Sequence, residues 1–252
     1  MAIKTTIKLG TEKEIVKRYV PVIKDGDLDY VIESRQGPAI WRDLRKADYG
    51  KLDGRSLKQI TMPQAVRLAY AGLENNIKEV VEAVNEYWLI GNTLIGWDLE
   101  GMCGIDMPSD KLVSQLEVDN PKVLSKILGK YKAQLGREEG GVIFSDDGRV
   151  RFTPLDKIIF GEQTARTLAR NPGNIVLSGS LENAELNARS ARRYILNPRF
   201  YGFNDAKFPK VGVPGLVCGG FGGGLCVVAG YFCVDECRFS FGVLDSGEAS
   251  AK

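Results

Sequence analysis

Apolar and polar residues alternate at the start of the chain. Residues 3–9 (IKTTIKL) and 15–23 (IVKRYVPVI) read as strands, with Pro21 marking an edge or bend. A short third strand is expected over 30–33, and residues 42–60 read as a charged, glycine-containing loop with at most a short helix. The period then changes. Thr61-Met62-Pro63 opens a helix, because threonine caps orphan N–H groups and proline in the first turn loses no internal hydrogen bond. Ala65, Leu68, Ala69, Gly72 and Leu73 recur at helical spacing behind it, and a second amphipathic stretch covers 77–89 after a break at Asn75-Asn76.

Residues 89–107 carry glycine at 91, 96, 101 and 104 within an apolar run, which predicts short strands and tight turns. A further helix is predicted over 121–135, and a hairpin joins 142–144 to 150–152 through Asp147-Gly148. A helix over 162–170 is expected to stop at Asn171-Pro172-Gly173. Residues 174–203 then read as strand (174–177), helix (181–195) and strand (200–203), in the order of a βαβ crossover. Three segments, 211–217, 225–232 and 238–244, complete the chain as a meander. The fold class expected is α+β: a small antiparallel β-rich N-terminal section, a helical middle, and a C-terminal α/β region ending in a β-meander. The length allows either a division into 1–136 (β section plus helical region) and 137–252 (α+β region) or one domain over the whole chain.

Composition narrows the chemistry. The 252 residues are 44% hydrophobic and 26% charged, ordinary values for a globular protein, and they include no histidine. Ser-His-Asp and Cys-His catalysis, His-ligated zinc and imidazole acid–base steps are therefore excluded within this chain. The first residues lack the apolar core of a secretory signal, so the expected location is cytoplasmic, with no membrane association.

Net charge is only +2, yet it is unevenly spread: residues 61–148 total −6 and residues 149–210 total +6. The basic sector holds Arg166, Arg170, Arg189, Arg192, Arg193 and Arg199 in or beside two predicted helices, with Tyr194, Phe200, Tyr201 and Phe203 interleaved. Arginine pairs bidentately with phosphate and aromatic rings stack on bases, so these six arginines are the candidate anion or nucleic-acid site. Arg189, Arg192 and Arg193 share a helix face. The competing reading pairs Arg189 and Arg193 with Glu182 and Glu185 as a solvated surface.

Cys218, Cys226, Cys233 and Cys237 cluster late in the chain, with Cys103 far upstream. Their intervals lack paired C-x₂-C knuckles, which leaves three readings: buried thiols, a disulfide, or a Cys₄ zinc site. The glycine run at 219–224 matches no phosphate-loop spacing and precedes a strand, so it reads as a hairpin connection. Asp98, Glu100 and Asp106 are the acids of the glycine-rich segment, able to serve a metal-dependent hydrolase if one cleft gathers them. The leading functional reading is a non-enzymatic soluble binding protein for an anionic partner such as nucleic acid, without a cofactor. A protein partner or homo-oligomer is compatible with it. The alternative is a histidine-free enzyme using carboxylates with a divalent metal, or a cysteine-bound metal.

Overall fold

A computed structural model describes residues 22–25, 28–39, 41–52, 54–116, 120–203, 209–218, 224–231 and 238–245. The strand predicted over 3–9, and nearly all of that over 15–23, lie outside these. In chain order the elements begin with β1 (Val22–Asp25), β2 (Leu28–Ala39), α1 (Trp41–Lys46), β3 (Lys51–Leu52), β4 (Arg55–Ser56) and β5 (Lys58–Gln59). The middle comprises α2 (Met62–Glu74), α3 (Lys78–Asn85), β6 (Trp88–Ile90), β7 (Thr93–Trp97), β8 (Gly101–Asp106), α4 (Asp110–Leu116), α5 (Pro121–Lys132), β9 (Leu135–Glu139), β10 (Val142–Ser145) and β11 (Val150–Pro154). The rest is β12 (Gly161–Glu162), α6 (Ala165–Arg170), α7 (Pro172–Ser178), α8 (Leu181–Ala191), β13 (Arg199–Tyr201), β14 (Lys210–Val217), β15 (Cys226–Tyr231) and β16 (Arg238–Asp245). The fold is α+β. Among the described residues no helix is long and apolar enough to cross a membrane.

Among the described residues fourteen strands form one mixed sheet, whose main path runs β1-β2-β16-β6-β14-β7-β8-β11-β10-β9. Strand β5 pairs with β16, and β15, β13 and β12 branch from β14. Strands from before and after residue 136 therefore alternate in it. Strand β14 serves two neighbourhoods. Lys210 to Gly212 pair with β7, whereas Gly215 and Leu216 pair with β6 while the same end pairs with β15. The register shifts between Val213 and Pro214, where a residue without an N–H suits the break in the ladder.

Helices cover both faces of the sheet. Apolar residues of α2, α3, α6, α7 and α8 pack with Ile95, Trp97, Met102 and Phe241, whereas those of α1, α4 and α5 pack with Leu94, Cys103, Ile105 and Phe152. Consecutive residues (Leu94 and Ile95, Met102 and Cys103) thus enter opposite cores, as the two-residue period of a strand dictates. The glycines between them admit the helices: a Cβ at Gly96 would strike the Leu128 side chain of α5, and one at Gly104 would meet Val176 of α7.

Three expectations change. Residues 174–177 lie in helix α7 rather than in a strand, so 174–203 is not a βαβ crossover. Asn171 caps that helix by accepting from the Gly173 N–H at 3.0 Å, Pro172 takes its first position, and Gly179 ends it at φ 84°. The Asn-Pro pair therefore stops α6 and starts α7. The helix expected over 181–195 ends at Ala191. Finally, the last three strands form, but only β14 and β15 make a hairpin. Strand β16 leaves them to insert between β2 and β6, antiparallel to the first and parallel to the second.

Candidate functional site

Helices α6, α7 and α8 are joined by caps and a buried polar network. The Thr164 hydroxyl accepts from the Thr167 N–H at 3.2 Å to start α6, and Ser180 accepts from the Asn183 N–H at 3.1 Å to start α8. Behind them Asn174 is fully buried. It donates to the carbonyls of Leu168 and Ala184 and accepts from Ser178 and Asn187. One side chain thus bonds to residues of all three helices, and Ala184, Ala188 and Ala191 let α8 lie close to its neighbours. With these inner faces occupied, Arg166 and Arg170 of α6, Arg189 of α8 and its C-cap Arg192 point to solvent.

The six candidate arginines separate into two groups. Arg193 is paired, with Glu74 at 3.5 Å and Asn76 at 3.0 Å, and Arg199 on β13 is paired with Glu162 at 3.3 Å. Arg166, Arg170, Arg189 and Arg192 are exposed and form no ion pair among the described residues. The pairing of Arg189 and Arg193 with Glu182 and Glu185 does not form; Arg193 turns to Glu74 of α2 instead. The negative end of a helix dipole accounts for Arg170 and Arg189 in the last turns of their helices, but not for Arg166 in a first turn.

The interleaved aromatics serve other purposes. Phe200 is core, Phe203 packs edge-on to Trp97 at 6.3 Å, and the Tyr194 hydroxyl donates to Asn85 at 2.7 Å. Sequence pattern missed an apolar pair beside the arginines: Ile195 is 100% exposed and Leu196 46% exposed. Their position just past the end of α8 was the available signal.

The acids of the glycine-rich segment are not gathered into one cleft. Asp98 and Glu100 lie in the β7–β8 turn, where the Lys132 ammonium bonds both, at 2.6 and 2.7 Å, above the Phe152 ring. Burial alone lowers the Lys132 pKa, but the hydrogen bonds to Asp98 and Glu100 outweigh it and hold the ammonium above its ordinary range. Asp106, at the far end of β8, makes a bidentate pair with buried Arg151 at 2.5 and 2.8 Å. Thr93 donates to the same carboxylate at 2.7 Å, and Arg151 also donates to the carbonyls of Val176 and Gly148. This network joins β7, β8, β11 and α7.

Cys103, Cys218 and Cys226 are buried free thiols, while Cys233 and Cys237 lie outside the described residues. Among the described residues no group of three or more Cys, Asp or Glu side chains is placed to hold a metal. Burial pushes the Cys103 thiol from 9.0 up to about 12, with Lys132 and Arg151 opposing, and pushes Cys226 up to about 11. The folded chain keeps both protons where the unfolded chain gives them up. Their contribution to stability is therefore complete below pH 9 and falls as pH rises toward 11 and 12. At neutral pH, iodoacetamide should leave Cys103 unmodified in the native protein and alkylate it after unfolding. Mass spectrometry reads this directly, and rapid native alkylation would contradict the burial.

No protein-family model matches the chain, and no curated protein does. A solved structure reported under the words "Accommodation of massive sequence variation in Nanoarchaeota by the C-type lectin fold" is similar over 73% of this chain and 87% of its own, with 14% sequence identity and a TM-score of 0.46.

Proposed function

We propose that the protein is a non-enzymatic binding module that docks a polyanionic partner, in its most concrete form the phosphate backbone of a nucleic acid, on the outer side of α6 and α8. One observation carries this reading: Arg166, Arg170, Arg189 and Arg192 are exposed without carboxylate partners on two helices of one layer. Elsewhere arginines such as Arg35, Arg45, Arg151 and Arg199 are paired. Guanidinium groups with nothing to neutralise within the fold are free to displace counterions from a phosphate chain. The acids that a metal-dependent enzyme would use, Asp98, Glu100 and Asp106, are already engaged by Lys132 and Arg151, which favours binding over hydrolysis. With the aromatics of 194–203 largely occupied by packing, recognition by charge fits this surface better than base stacking.

Fluorescence anisotropy with a labelled DNA duplex tests this reading. Four phosphate contacts at a slope near −0.9 each give about a hundredfold loss of affinity between 50 and 200 mM salt. Joint replacement of Arg166, Arg170, Arg189 and Arg192 by alanine should remove most of the affinity and flatten the slope by about three to four. Salt-insensitive binding, or no binding by the native chain at low salt, would sink the proposal.

A further inference from the structure

Between α8 and β13 the chain holds an apolar side chain in water with nothing over it. Ile195 is wholly exposed and Leu196 beside it nearly half exposed. Among the described residues no other large apolar side chain is so bare; Leu99, the next, is 74% exposed.

The turn that presents this pair is anchored on both sides. Before it, the Arg193 and Tyr194 N–H groups donate to the carbonyls of Ser190 and Ala191 at 3.2 Å each, continuing the end of α8. The same two residues tie the turn to the neighbouring helices, Arg193 through Asn76 at 3.0 Å and the Tyr194 hydroxyl through Asn85 at 2.7 Å. After it, Asn197 Nδ2 donates to Glu162 at 3.2 Å, the Pro198 carbonyl accepts from the Gln163 N–H at 3.0 Å, and the Arg199 N–H donates to the Leu225 carbonyl at 2.9 Å. Gly224 closes on the turn as well, since a Cβ there would meet the Asn197 carbonyl at 2.6 Å and the Leu196 carbonyl at 3.2 Å. The fold itself therefore fixes Ile195 in solvent.

Charge around the tip selects what it meets. Arg192 lies three positions before Ile195, which keeps their Cα atoms within about 11 Å, and both Arg192 and Arg189 are exposed without a carboxylate partner. Leu99 is the contrast: it sits between Asp98 and Glu100, and the Glu100 side chain is largely in solvent. A polyanion is drawn to the first apolar residue and repelled at the second. Two adjoining side chains, one of them half covered, are too small a patch for a protein interface and offer a lipid surface little area to bury. The gap between two base pairs is a closer match, because it is apolar, narrow enough for one branched side chain, and bordered by phosphates.

We propose that Ile195, backed by Leu196, wedges between neighbouring base pairs of a DNA duplex held by Arg166, Arg170, Arg189 and Arg192, and so kinks it. The wedge rests on the reading of α6 and α8 as a phosphate-binding surface, and adds a deformation that charge alone does not produce. Parting a stack costs energy, so the intruding residue must stand on a support that does not yield, as the anchored turn provides. Bending then repays the cost by bringing more phosphate to the protein. Sites that part easily, mismatches and pyrimidine–purine steps, are the preferred ones.

The test uses the full-length chain and a duplex labelled at both ends for energy transfer, with 2-aminopurine at its centre. Binding should draw the ends together, with a bend of about 20–90°, and brighten the 2-aminopurine as it unstacks. A duplex with a central mismatch should bind about tenfold more tightly than the matched one. Ile195→Gln, at a position too exposed to endanger the fold, should lose the bend, the brightening and the mismatch preference, while the salt dependence set by the arginines stays. Ile195→Leu should keep all three, and Leu99→Gln should change none of them. A bound duplex that stays straight and stacked, or a bend that survives Ile195→Gln, overturns the wedge and leaves the phosphate-binding reading standing. No duplex binding at all overturns both. Phosphatidylserine vesicles that take up the native chain but not Ile195→Gln, with the duplex left stacked, would assign the residue to a lipid surface and overturn the wedge as well.

Discussion

Replacing Arg151 by methionine is expected to cost the fold about 3–5 kcal/mol, because it strands Asp106 as a buried, unpaired carboxylate. The Arg151 side chain is 1% exposed and that of Asp106 10% exposed, so water does little to compensate either. The guanidinium does more than balance charge. It bonds Asp106 with two nitrogens and reaches the Val176 and Gly148 carbonyls, so its loss also orphans backbone acceptors on α7 and in the β10–β11 turn. Against a typical total stability of about 5–15 kcal/mol, this brings the native state near its limit. Removing both charges, with Asp106→Leu added to Arg151→Met, should be less damaging than Arg151→Met alone. Urea denaturation of the two variants measures the difference. A single variant no less stable than the double would show that the pair is not desolvated as the structure has it.

A comparable loss, about 3 kcal/mol or more, is expected from Gly91→Ala. A Cβ at Gly91 would run into the Thr61 carbonyl carbon and the Met62 nitrogen, which are main-chain atoms at the start of α2 and lack the freedom of a side chain to move aside. The contact is fixed from several directions. Trp41 Nε1 donates to the Gly91 carbonyl, Asn92 N–H donates to the Ile60 carbonyl, and Met62 N–H donates to Thr93 Oγ1. Gly129 provides the control. It lies within α5, where an added methyl would meet nothing within 4 Å, so Gly129→Ala should raise stability by about 0.5–1 kcal/mol. Opposite signs for one chemical change at two glycines is the expected outcome, and equal effects would refute the close approach at Gly91.

Local signals foretold local structure. The Thr61 cap, Pro63 and the periodic residues behind them announced α2, and the pattern from Pro121 announced α5. Asp147-Gly148 marked the β10–β11 hairpin, and the glycines of 89–107 marked β6, β7 and β8. The error at 174–177 has a plain cause. Four residues, Asn-Ile-Val-Leu, are too few to display a helical period, and two of them are β-branched. Asn171 and Gly179, which cap the helix at its two ends, outweigh that preference. Nothing local records that β16 pairs with β2, since their ladder joins residues some two hundred positions apart.

The candidate sites show the same division. Exposed arginines at helical spacing were visible in sequence, and which of them are paired was not, because Glu74 and Glu162 come from other elements.

The place of β16 also bears on how the protein is made. On a chain emerging from the ribosome, β2 and β6 exist long before residues 238–245 arrive to sit between them. Until then both strands offer unpaired N–H and C=O groups along facing edges, the kind of surface that recruits strands from other molecules. Closing that slot requires a long-range encounter, which slows folding. The interval between synthesis of β6 and insertion of β16 is therefore when this protein is most exposed to self-association, and a chaperone that shields strand edges would raise its yield most if it acted then.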